Sequence, residues 1–128
     1  KPRVYLDTSV PSALLDSRAQ ERQQETREFW DRAPTQYRLC ISEIVLLEIA
    51  NTPTESRRAE LAEAVSGLEI LSSSSEAGDL AEAFMAENLF PPKFRNDAMH
   101  LAIAITNSIP IVASWNFTHM LKLSVHLR

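Results

Sequence analysis

Four short apolar runs, at residues 4–6, 37–42, 68–73 and 109–114, recur along the chain with helix-like stretches between each pair. VYL, YRLCIS, LEILSS and IPIVAS carry the β-branched, aromatic and aliphatic residues of buried strands. The order β-α-α-β-α-α-β-α-α-β-α calls for a parallel sheet covered by helices on both faces, a three-layer α/β/α sandwich. LSVHL near the end reads as a fifth, edge strand, so four to five strands are expected in one domain spanning residues 1–128. The chain begins without methionine and stops on a strand-like tail, and a few residues are expected to be missing, chiefly at the carboxyl end.

Several function classes drop out on composition. The net charge of −4 and pI near 5.4 argue against binding nucleic acid through a broad basic surface, so a polyanion would need bound metal or a local basic patch. Gly67 and Gly78 are isolated, which removes the P-loop and the dinucleotide fingerprint. Cys40 is the single cysteine, set in an apolar strand, and reads as a buried small hydrophobe. No apolar run approaches the roughly 20 residues of a membrane span, and a cytoplasmic protein is the expectation.

The first strand ends on Asp7, followed at once by Thr8, Ser9 and Pro11, which read as turn and helix-start residues with Ser9 as the cap. In open α/β sheets the carboxyl edge is where ligands bind. SRAQERQQETREFWDRA reads as a solvated helix whose apolar end, Phe29 and Trp30, docks on the rest. The stretch at residues 42–53 is apolar almost all round, with Ser42 as cap, and Glu48 stands in its middle. A carboxylate there is costly unless paired, metal-bound or open to a cleft. Residues 54–67 form an amphipathic helix ending at Gly67, with Arg57 and Arg58 as surface charges, and residues 75–90 form another. Asp97 heads the apolar helix at residues 93–109, with Asn96 as its cap, and on its own is as well explained by the helix dipole. Asn116 follows the fourth strand and would cap a last short helix.

If the first and fourth strands are neighbours at a switch point, Asp7 and Asn116 face each other across a crevice that Glu48 and Asp97 can enter. Three carboxylates and a carboxamide make an oxygen site for a hard cation, Mg2+ or Mn2+, rather than zinc. Such an ion activates water and stabilises charge in an in-line displacement at phosphorus, which implies phosphodiester hydrolysis.

VYLDTSV, ISEIVLLEI, NDAMHLAIA and IVASWNFTHM, in that order, resemble the successive motifs of the PIN domain over nearly the whole chain. The resemblance is closest to toxin ribonucleases of VapC type and implies strand order 3-2-1-4-5. It places the family's acidic quartet on Asp7, Glu48, Asp97 and Asn116, with Ser9 as a hydroxyl near the metal. It further implies an RNA substrate, an antitoxin partner and a homodimer. The fourth position is often aspartate in the family, and Asn116 lowers the negative charge of the site. The competing reading is a non-catalytic PIN-like module that binds RNA or protein, with a receiver-type domain built on Asp7 well behind it. Arg3, Lys93 and Arg95 are read as reaching a phosphate or as solvated charges, with the second reading favoured. His100 and His119 read first as packed or hydrogen-bonded histidines. Trp115 and Phe117 are equally explained by base stacking or packing.

Overall fold

The computed structural model describes residues 1–116. Four strands, β1 (Arg3–Leu6), β2 (Arg38–Ser42), β3 (Glu69–Leu71) and β4 (Ile111–Ala113), form one parallel sheet in the order β3-β2-β1-β4. Six α-helices connect them: α1 (Ser9–Leu14), α2 (Gln20–Arg32), α3 (Glu43–Ala50), α4 (Glu55–Val65), α5 (Ser75–Ala86) and α6 (Arg95–Thr106). This is the expected three-layer α/β/α architecture. The fifth strand and the short helix expected after Asn116 lie outside the described residues, as do Phe117 and His119.

Strand side chains alternate between faces, and both faces are covered, which is why the strand runs are continuously apolar. Val4, Leu6, Leu39 and Ile41 pack with Val10 of α1, Val45 and Ile49 of α3, and Leu61 and Val65 of α4. Phe29 and Trp30 at the end of α2 dock on this layer, as their sequence context suggests. Tyr5 and Cys40, one residue out of phase, face the other layer with Ala81 and Phe84 of α5 and Ala98, Leu101, Ala102 and Ile103 of α6. Burying one such aliphatic side chain fully is worth roughly 1.5–3 kcal/mol.

Caps depart from expectation where the capping side chain is needed elsewhere. Ser42 caps α3 by accepting from the Ile44 N–H, as expected, and Ser74 caps α5. Thr8, not Ser9, occupies the N-cap of α1, because the Ser9 hydroxyl is spent on Asp7. Helix α6 begins at Arg95, continuous with a 3-10 turn at Pro92–Phe94, so Asn96 lies inside its first turn and its side chain hydrogen-bonds Glu48 instead. Gly67 takes φ 87° just past the end of α4, a left-handed turn that glycine adopts without strain. Helix α3 is not enclosed on all sides: Val45 and Ile49 are buried, whereas Leu47 is 58% exposed. Arg57 and Arg58 are not simple surface charges, since they donate to the carbonyls of Leu15 and Thr52 beyond the ends of α1 and α3.

Candidate active site

Chain order reverses beside β1. The chain steps from β1 to β2 on one side, then returns after β3 to place β4 on the other, with Leu6 opposite Ala113. The residues just past these two strand ends, Asp7 and Ser114, therefore meet at the switch point, where diverging connections leave room for a ligand. The Asp7 N–H continues the ladder by donating to the Ala113 carbonyl at 3.4 Å.

Asp7 is 1% exposed, and both of its oxygens are occupied. Oδ1 accepts from the Ser9 N–H at 3.0 Å and the Ser9 hydroxyl at 2.5 Å, while Oδ2 accepts from the Ser114 hydroxyl at 2.6 Å. Each serine oxygen is itself fixed by a backbone N–H: Trp115 donates to Ser9 Oγ at 2.8 Å and Asn116 to Ser114 Oγ at 2.9 Å. A buried carboxylate is tolerable when so satisfied, and here the satisfaction also sets its orientation. Ser114 is the part of this clamp that sequence reasoning did not assign, although its place at the end of a strand neighbouring β1 was a usable signal.

Strand parity puts Tyr5 and Asp7 on the α6 side of the sheet, and the i, i+3 spacing on α6 puts Asp97 and His100 on one helix face. Asp97 is 9% exposed and accepts from the Asn116 side-chain amide at 3.4 Å. Asn116 thus joins Asp97 through its side chain and the Asp7 clamp through its backbone.

Glu48 does not stand alone in its helix. Its Oε1 accepts from the Thr8 hydroxyl at 2.9 Å and lies 2.6 Å from His100 Nε2, while His100 Nδ1 lies 2.5 Å from the Tyr5 hydroxyl. His100 is hydrogen-bonded and packed, as its sequence context favoured. Burial alone would raise the Glu48 carboxyl, but the electrostatic and hydrogen-bonding pull of His100, with hydrogen bonds from Thr8 and Asn96, outweighs it and holds the pKa below its ordinary value. Burial pushes the Tyr5 phenol well above its ordinary pKa and keeps its proton on.

A model of the PIN domain family matches residues 4–116. The chain belongs to the PIN domain family. Solved structures agree on the fold of this PIN domain. VapC20 of Mycobacterium tuberculosis, described as a sarcin–ricin loop cleaving toxin, superposes with a TM-score of 0.72 at 16% identity, covering 93% of this chain and 94% of that one. VapBC2 from Rickettsia felis, bound to a DNA fragment from their promoter, gives 0.60 at 18% identity, covering 88% of this chain and 98% of that one. No curated protein sequence matches the chain.

In this PIN domain Asp7, Glu48, Asp97 and Asn116 offer side-chain oxygens, the donor type that suits a hard divalent cation. Among the described residues, no three acidic, histidine or cysteine side chains already stand close enough to hold one. The sequence-proposed phosphate contacts divide. Arg3 sits at the amino end of β1, across the sheet from Asp7, and bonds Glu69 and the Asn107 carbonyl. Arg95 pairs with Glu82, and the Lys93 ammonium lies 5.2 Å from the Phe94 ring centre. Trp115 is held at the rim, donating from Nε1 to Thr26 at 3.0 Å beneath the Arg22 guanidinium. No helix among the described residues is long and apolar enough to cross a membrane.

Proposed function

We propose that this PIN domain is a metal-dependent endoribonuclease that hydrolyses RNA phosphodiester bonds, acting in the cytoplasm as the toxin of a toxin–antitoxin pair. The observation that carries this reading is the buried Asp7, clamped through both oxygens at the switch point and linked through Ser114 and Asn116 to Asp97. Mg2+ or Mn2+, when bound, supplies an activated water and offsets charge developing on the phosphate. Asp7 is held in one carboxylate orientation by Ser9 and Ser114. Asn116 contributes an oxygen without a charge, which favours a site built around one cation. The descriptions of VapC20 as a cleaving toxin and of VapBC2 on promoter DNA support carrying the toxin role and an antitoxin partner to this chain. The net charge of −4 suits an antitoxin segment with basic residues, and a homodimer is the expected assembly.

Purified protein should cleave RNA with magnesium or manganese, and Asp7→Asn or Asp97→Asn should abolish cleavage. Retained activity in either variant, checked for purity by the same assay on an empty-vector preparation, would sink the assignment. The second reading, a non-catalytic module that binds RNA or protein, is favoured by the separation of the acids among the described residues. It predicts affinity that survives chelation and no hydrolysis.

A further inference from the structure

We propose that Tyr5 and His100 are positioning residues for Glu48, forming a one-way hydrogen-bond chain through the core that fixes the imidazole as its Nε2–H tautomer and sets the carboxylate for the cation. The inference rests on the metal-site reading above and adds to it two residues that touch neither ion nor substrate.

The direction of the chain follows from what each atom can do. The Ile44 N–H donates to Ser42 Oγ at 3.2 Å, and the Ser42 hydroxyl lies 2.8 Å from Tyr5 Oη. With Ser42 donating onward, Tyr5 Oη accepts there and donates to His100 Nδ1 at 2.5 Å. Nδ1 is then the bare nitrogen, Nε2 carries the proton, and that proton points at Glu48 Oε1 at 2.6 Å. Thr8 donates to the same oxygen at 2.9 Å, so two donors from opposite layers grip Glu48. Reversing a neutral chain would set a bare Nε2 lone pair against a carboxylate oxygen, which repels. The Nε2–H direction leaves every atom of the neutral chain with a donor or an acceptor and without that repulsion. No buried side-chain nitrogen or oxygen among the described residues lacks a partner, so the chain is closed at both ends.

A group that orients a metal-binding side chain typically alters affinity by about 10–100-fold when removed. The test uses the full chain and Mn2+ alone. Long-range 1H–15N correlation of the imidazoles should show His100 as the Nε2–H tautomer, and Tyr5→Phe should shift it toward a mixture. Titration calorimetry should show Mn2+ affinity about 10–100-fold weaker in His100→Ala. His100→Gln, whose amide can donate where Nε2 did, should recover part of it. Metal-free melting curves of each variant separate this from loss of fold, and Tyr5→Phe with His100→Gln carries the test if His100→Ala does not fold. An Nδ1–H or doubly protonated ring, or wild-type affinity in both Tyr5→Phe and His100→Ala, overturns the proposal. If the wild type binds no Mn2+, the metal-site reading fails and takes the cation role of the chain with it, whereas weaker binding confined to the variants is the loss of positioning expected here.

Discussion

Asp7 receives a hydrogen bond from Ser114, more than a hundred positions away, as well as those from its own turn, so the clamp forms only when β1 and β4 lie side by side. Ser114→Ala deletes the donor to Oδ2 and the acceptor for the Asn116 N–H in a buried setting. A loss of about 1–3 kcal/mol is expected in chemical denaturation, together with loss of cleavage as Asp7 loses its orientation. A variant of unchanged stability would show that the Ser114 contact is idle. Cys40 lies on the neighbouring strand, where burial, with a smaller contribution from the Glu69 charge, raises its thiol to about 11. Folded protein should therefore resist alkylation at mildly alkaline pH and react as a single thiol only after unfolding, as a timed thiol titration will show. Asp7, Glu48 and Asp97 stood out in the sequence because acids on or beside apolar elements demand a reason, and Asn116 because of the likeness to PIN motifs. His100 reads as a packed or hydrogen-bonded histidine, but its partners Tyr5 and Glu48 were not legible as such, because an apolar strand is reason enough for an aromatic. The i, i+3 spacing of Asp97 and His100 was the available signal.

Elements were legible where apolar runs and breakers coincide, as at β2, closed off by the Ser42 cap, or at α4, closed by Gly67. Helix α3 was misjudged as enclosed because an apolar run reports what a helix can bury, not whether a neighbour arrives to cover it. Leu47 meets none that covers it among the described residues. The amino ends of the strands are joined by charge that no local pattern announces. Glu69 on β3 accepts from Arg38 on β2 at 2.8 Å and from Arg3 on β1 at 3.1 Å. These bonds, Arg38 first, lower the Glu69 pKa from its ordinary 4.5. A lowered folded-state value means the contribution is fully present above pH 4.5 and lost as pH falls through the folded value. Because the side chains are partly exposed, Glu69→Gln is expected to cost no more than about 1 kcal/mol at neutral pH. The gap between wild type and variant should close in acid. Denaturation midpoints at two pH values test this, and a gap that widens in acid would contradict the ion-pair account.

At the scale of the molecule, the acids that define the candidate site come from three places: the end of β1, the middle of α3 and the start of α6. Each has a local partner, Asp7 its serines, Glu48 its threonine and histidine, Asp97 its asparagine, so the fold stands without a cation. A cation bound by all three would nonetheless tie both helical layers to the central strand, and its free energy would add to folding because the unfolded chain offers no such arrangement. Saturation to about 100 times the dissociation constant stabilises by about 2.7 kcal/mol, which for a domain of this size raises the melting temperature by several degrees. Mn2+ should therefore raise the wild-type midpoint in a concentration-dependent way. Asp97→Asn keeps an oxygen for the Asn116 amide but loses a favourable first-turn charge, so it should start from a similar or slightly lower midpoint and gain little from the ion. That difference in gain distinguishes a binding site from general screening, which would raise both proteins equally and could be matched by sodium chloride. Equal gains, or none at millimolar Mn2+, would leave the acids as structural anchors of the switch point and favour the binding module over the nuclease.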